Sequence, residues 1–125
     1  MKAVIVGCGR MGSELANQLS LDGHEVTVVD CDPRAFYRLD ASFKGKTVEG
    51  VGFDRDVLRR AGAEQADALA AVTASDNANI ITARVARIVF RIPKIVARLY
   101  DPRRAEIYQR LGLQTVSSTS WGVGR

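Results

Sequence analysis

Short runs that are wholly apolar or β-branched alternate along this chain with segments in which apolar residues return every three or four positions, the signatures of buried strands and of amphipathic helices. Residues 2–6, K-A-V-I-V, predict a strand buried on both faces. Met11, Leu15 and Leu19 then share one helix face, and Gly23 closes that helix. Residues 25–30, E-V-T-V-V-D, predict a second strand that ends on an acid. Asp32-Pro33 opens another helix with an N-cap and a first-turn proline. A third strand covers residues 46–49, and Asp54 caps a helix through Val57, Leu58 and Ala61 that Gly62 ends.

Residues 68–72 predict a fourth strand, followed by Asp76 and a long helix whose apolar face carries Ile81, Val85, Ile88, Val89 and Ile92 until Pro93 stops it. Residues 94–99 form a fifth strand. Asp101-Pro102 repeats the cap-plus-proline signature before a helix with Ile107 and Leu111, ended by Gly112, and residues 114–116 make a short sixth strand. Five helices interleaved with six strands predict an α/β fold, a Rossmann-like doubly wound parallel sheet with strand order 3-2-1-4-5-6. The 125 residues suit one domain, with residues 1–116 as the nucleotide-binding unit and the polar, Gly-rich residues 117–125 as a linker or the start of a crossover segment.

Composition narrows the function classes. No apolar run approaches the roughly 18 residues of a membrane span, and the Gly-rich sequence after residue 6 lacks a signal-peptide cleavage site, which predicts a cytoplasmic protein. The net charge is +4, with 14 of the 18 basic residues arginine. These arginines are interspersed with acids, and aromatic residues are only 6% of the chain, a poor supply of stacking platforms, so nucleic acid is not an expected partner. Arg84, Arg87 and Arg91 form a helix stripe expected to face solvent or a subunit contact. Cys8 and Cys31 lack metal-ligand spacing and are expected to be free thiols filling small buried gaps, with no metal site.

Gly7-Cys8-Gly9-Arg10-Met11-Gly12 follows a strand and opens a helix, the context in which G-x-G-x-x-G cradles a pyrophosphate on backbone N–H groups at a helix N-terminus. Arg10 is placed to add a charge. Asp30 stands 18 residues after Gly12 at the end of the second strand, where a carboxylate accepts ribose hydroxyls and repels a 2′-phosphate. This favours NAD or an adenine nucleotide over NADP. Cys31 and Asp32 follow beside the ribose, Asp32 doubling as an N-cap. Ligands in such sheets sit beyond the strand carboxyl ends, so Gly52 and Phe53 after the third strand, Thr73, Ala74, Ser75 and Asn77 after the fourth, and Arg98 on the fifth complete the candidate site.

Three stretches carry a more specific resemblance: residues 4–16 with V-T-V-V-D-C-D at 26–32; A-V-T-A-S-D-N-A-N at 71–79; and V-A-R-L-Y-D-P at 96–102, leading to Ala105, Glu106, Ile107 and Tyr108 and to Leu111-Gly112. Together they resemble the N-lobe of the regulator-of-potassium-conductance family, also called the KTN or TrkA-N domain. That resemblance implies a cytosolic regulatory module at the inner face of the membrane, binding NAD(H), ATP or ADP, forming a homo-oligomer (a dimer or larger ring) and gating a membrane potassium-transporter subunit. It also implies that Gly7, Gly9 and Gly12 are the phosphate loop, Asp30 the ribose acid, Thr73 and Ser75 the fourth-strand loop and Arg98 the fifth-strand base. Many members place an acid after the glycine that follows the third strand; here Gly50 is followed by Val51. The family usually continues into a smaller C-lobe, and residues 118–122, with an exposed Trp121, are expected to begin its crossover segment in an excised N-lobe.

An excised NAD-binding domain of a dehydrogenase shares the same pattern. It would need a substrate domain and an acid or base, and the single histidine, His24, lies in the turn before the second strand, opposite the pocket. No catalytic residue is therefore assigned.

Overall fold

The structure, a computed structural model, describes residues 1–116. Six parallel strands form one sheet in the order β3-β2-β1-β4-β5-β6. The strands are β1 (Lys2–Val6), β2 (Glu25–Asp30), β3 (Lys46–Glu49), β4 (Ala68–Ala71), β5 (Lys94–Arg98) and β6 (Gln114–Val116). The helices are α1 (Arg10–Leu21), α2 (Arg55–Arg60), α3 (Asp76–Ile88) and α4 (Pro102–Arg110), with short 3-10 segments at Pro33–Arg38 and Ala63–Gln65. The fold class and strand order are those expected from the pattern. The tail and its Trp121 lie outside the described residues.

The central strands are apolar on both faces because both faces are covered. Val4, Val6 and Val29 pack with Val57, Leu58, Ala83 and Ala86 on the α2 and α3 side, while Ile5, Val26 and Val28 pack with Met11, Ala16 and Ala35 on the α1 side. Full burial of each valine, leucine, isoleucine or methionine side chain here contributes about 1.5–3 kcal/mol. In-register pairing of Val6 with Val29 and with Ala71 brings the carboxyl ends of β1, β2 and β4 level, which opens one crevice at the point where strand order reverses.

Three expectations change. The segment after Asp32-Pro33 is a six-residue 3-10 turn rather than an α-helix, although Asp32 caps it as expected. The helix from Asp76 ends at Ile88, and Arg91, in the left-handed region at φ 53°, turns the chain before Pro93 is reached. Its core face is Asn79, Ile80, Thr82, Ala83 and Ala86, while Ile81 and Ile88 are 44% and 65% exposed. The reason is packing: the side chains that the sheet turns toward this helix include Leu69, Ala71 and Ala97, and the helix sets Ala83 and Ala86 against them. Arg84, Arg87 and Arg91 are exposed, as expected, but Ile81 and Ile88 are exposed on the same helix rather than buried opposite them. No helix among the described residues is long and apolar enough to cross a membrane.

Candidate functional site

A cleft of about 600 Å³ lies beyond the carboxyl ends of β1 to β5, within the range of small-molecule sites. Its centre is the β1–α1 turn. Gly7 has φ +108°, and a Cβ there would stand 2.8 Å from the Thr73 nitrogen; at Gly12 a Cβ would run into the Gly7 carbonyl oxygen. Both glycines let strand, turn and helix close on one another. Gly9 has φ −81°, which any residue adopts, and the direction its Cβ would take is open for 4 Å. Gly9 thus leaves room beside the backbone without being needed by the backbone.

The N-termini of α1 and α3 both meet this space, and they differ in how they are capped. Asp54, Ser75 and Asp101 cap α2, α3 and α4 with side-chain oxygens, whereas Gly9 gives α1 no side-chain cap, and its first turn holds no acid. First-turn N–H groups have no partner within their own helix, and the helix dipole adds about half a positive charge there. The α1 end therefore presents donors and positive potential to the cleft, which suits an anion.

Asp30 faces that end and does more than await a ligand. Its Oδ2 accepts the Cys8 N–H at 2.8 Å and its Oδ1 accepts the Asp32 N–H at 2.8 Å. The carboxylate thus holds the phosphate loop against the end of β2, and its remaining lone pairs stay available to hydroxyl donors. Cys8 is fully buried, and burial first, then the Asp30 charge, pushes its thiol from 9.0 to about 11. Cys31 is exposed, contrary to the expectation of two buried thiols, because it stands just past the end of the strand. Asp32 accepts both the Arg34 N–H at 3.0 Å and its guanidinium at 3.1 Å, and those bonds hold its carboxyl below the usual range.

On the other side, Asn79 is fully buried and uses its whole amide. Its Oδ1 accepts from the Thr73 nitrogen at 2.9 Å and Thr73 Oγ1 at 2.7 Å, and its Nδ2 donates to the carbonyls of Thr73 at 3.0 Å and Arg98 at 2.7 Å. Asp76 accepts the N–H groups of Tyr100 at 2.7 Å and Asp101 at 3.0 Å. The first turns of α3 are thereby tied to both the β4 and the β5 loops. Thr73, a candidate ligand residue, spends its polar groups on these internal bonds. Arg98 lies over the Tyr100 ring, with its guanidinium carbon 4.2 Å from the centroid.

Of the sequence candidates, Gly7, Cys8, Gly9, Arg10, Met11, Asp30, Cys31, Asp32, Gly52, Phe53, Thr73, Ala74, Ser75 and Arg98 line the cleft together. Gly12 does not; it is spent on packing the helix against the turn. Asn77 is exposed and outside the cleft wall, because the helical phase that turns Ala78 and Thr82 toward the cleft carries it away. Ala35, Arg38 and Thr82 line the cleft without having been singled out, while Ala78 and Tyr100 fall in the loops after the fourth and fifth strands that were expected to complete the pocket. Thr82 stands one helical turn after Ala78, which is the signal that could have found it. Val51 does line the cleft where an acid was absent. Among the described residues no group of three or more metal-ligating side chains gathers.

Comparison with known proteins agrees with this geometry. The TrkA-N domain model matches residues 3–119. The Trk system potassium uptake protein TrkA of Streptomyces coelicolor is 57% identical over 121 residues, covering 97% of this chain and 54% of that protein, so the chain spans about half of that relative's length. Among solved structures, the Shewanella denitrificans Kef CTD in its AMP-bound form has a TM-score of 0.84 at 27% identity, over 98% of this chain and 75% of that one. The RCK domain of GsuK shares the fold at a TM-score of 0.79 and 23% identity, over 98% of this chain and 26% of that one. The chain belongs to the TrkA-N family.

Proposed function

We propose that this chain is the nucleotide-sensing unit of a potassium uptake system. It binds an adenine nucleotide, NAD(H), ATP or ADP, in the cleft, assembles as a homo-oligomer, a dimer or larger ring, and passes its occupancy to a membrane potassium-transporter subunit at the cytoplasmic face. The observation that carries the nucleotide part is the uncapped α1 N-terminus with Asp30 anchored beside it, a donor set for phosphate next to an acceptor for ribose hydroxyls. The AMP-bound relative and the name of the Streptomyces relative support the same reading. Residues 1–116 act as one binding domain in this reading, and catalysis is not part of it.

A nucleotide shifts a conformational balance only by binding one state better than the other. The bonds from Asn79 and Asp76 give the cleft a rigid connection to α3 and α4. Ile81 and Ile88 on α3, Ile107 on α4 and Leu111 just after it are exposed aliphatics of the kind that a subunit contact covers. The test is a thermal-shift titration with NAD, NADH, ADP and ATP, paired with potassium uptake by cells whose regulatory subunit carries Asp30→Ala. A saturable shift with at least one nucleotide and altered uptake are expected. No shift with any of the four defeats the nucleotide reading, and uptake unchanged in cells despite lost binding defeats the gating role.

A further inference from the structure

With phosphates on α1 and a ribose on Asp30, a nucleotide occupies the ends of β1 and β2. The next strand outward is β3, so the base is carried toward residues 50–53. That loop is fixed at both ends. The Gly50 N–H donates to the Asp30 carbonyl at 3.0 Å, and the Asp54 N–H closes a turn on the Val51 carbonyl at 3.1 Å. Between them a Cβ at Gly52 would run into Val6 Cγ1, so the loop lies directly on the end of β1. With Gly52 packed inward, Val51 and Phe53 stand on the cleft wall, 46% and 40% exposed.

That wall lacks a side-chain acceptor to spare. Reading adenine by its edge takes one, because its 6-amino group donates whereas the 6-oxo group of guanine or hypoxanthine accepts. Asp30 already holds the N–H groups of Cys8 and Asp32, and its remaining lone pairs face the ribose. Asp32 gives both oxygens to Arg34, at 3.0–3.1 Å. Asp54, just past the turn, points its Oδ1 at the N–H groups of Asp56 and Val57. Arg38 on the same wall only donates, and the Cys31 thiol bonds weakly. Val51 and Phe53 add alkyl and ring carbon, which covers a purine face without distinguishing its edge.

We infer that Val51 sets the base selectivity of the cleft and sets it open: the site takes purine nucleoside diphosphates with either an amino or an oxo group at position 6. This rests on the nucleotide reading above and widens it from adenine to purines.

The experiment compares ADP, IDP and GDP by calorimetry on the 125-residue chain. The wild-type affinities for the three are expected to agree within about threefold. Val51→Asp puts a carboxylate on an exposed position beside the base, where it accepts the 6-amino group and repels a 6-oxo group. That variant is expected to tilt the ratio of ADP to IDP affinity toward ADP by about tenfold, the worth of one hydrogen bond to a charged group. A wild-type preference beyond about threefold in either direction overturns the inference, as does a Val51→Asp ratio that moves by less than about threefold. The wild-type comparison needs no variant, so it decides the matter even where Val51→Asp does not fold. Binding of none of the three defeats the nucleotide reading itself and is distinguishable from these results.

Discussion

Asp30 carries two jobs, and replacing it separates them. Its carboxylate accepts two backbone N–H bonds of 2.8 Å, from Cys8 in the phosphate loop and from Asp32 at the next turn. Hydrogen bonds to charged groups contribute about 1.5–3 kcal/mol each, and the half-buried setting of Asp30 places this pair toward the lower figure. Asp30→Ala is therefore expected to cost about 2–3 kcal/mol without any ligand, a fall of about 8–12 °C in melting temperature for a domain of this size. Asp30→Asn keeps one acceptor oxygen, and about half of that loss is expected. Both variants also lose the charged acceptor for ribose hydroxyls, so affinity for ADP or NAD is expected to drop at least about tenfold. Thermal unfolding of the ligand-free variants, followed by calorimetric titration, measures the two effects separately. A ligand-free melting temperature unchanged in Asp30→Ala refutes the loop-holding role, and unchanged affinity refutes the ribose role.

Asn79→Leu keeps the volume but leaves the Thr73 N–H and carbonyl and the Arg98 carbonyl without their buried partner; a loss of about 3–5 kcal/mol in urea denaturation is expected. Gly12→Ala drives a methyl into the Gly7 carbonyl oxygen and is expected to destabilise by about 1–3 kcal/mol and to weaken nucleotide binding with it, read by the same denaturation and a titration. Because the Cys8 thiol titrates at about 11 in the fold against 9.0 unfolded, the unfolded chain holds fewer protons between those values, and stability is expected to fall as pH rises from 9 to 11. Cys8→Ala should flatten that slope relative to the native chain, while at pH 8 a thiol reagent should label Cys31 and spare Cys8.

The phosphate loop, Asp30, the capping aspartates Asp32, Asp54 and Asp101 and the strand order were legible because each depends on neighbours in sequence or on a period. What escaped depends on distant partners. In α3 two interleaved sets of small or apolar residues satisfy a helical period, and only contact with Leu69, Ala71 and Ala97 of the sheet selects Ala83 and Ala86 over Ile81 and Ile88. Asn77 and Ala78 are adjacent in sequence, yet one looks away from the cleft and the other lines it. The Asp30 bond to Cys8 spans 22 residues and the Asn79 bond to Arg98 spans 19, so neither the second role of Asp30 nor the commitment of Thr73 to internal bonds shows in a motif.

The proposed nucleotide sets its diphosphate against the α1 N-terminus, and Gly9 gives the cleanest access to that contact. Its φ of −81° suits any residue and, its chain neighbours aside, no atom stands within 4 Å of a Cβ placed there, so the side chain of Gly9→Val starts into the ligand's space rather than into the fold. The decisive measurement is a side-by-side calorimetric titration of the wild-type chain and Gly9→Val with ADP and NAD. The expected result is saturable one-to-one binding by the wild type, with a ligand stabilisation of about 2.7 kcal/mol at a hundredfold excess over Kd, and no binding by a Gly9→Val chain whose ligand-free melting temperature matches wild type. Absence of binding by the wild type, or equal binding by Gly9→Val, contradicts the account.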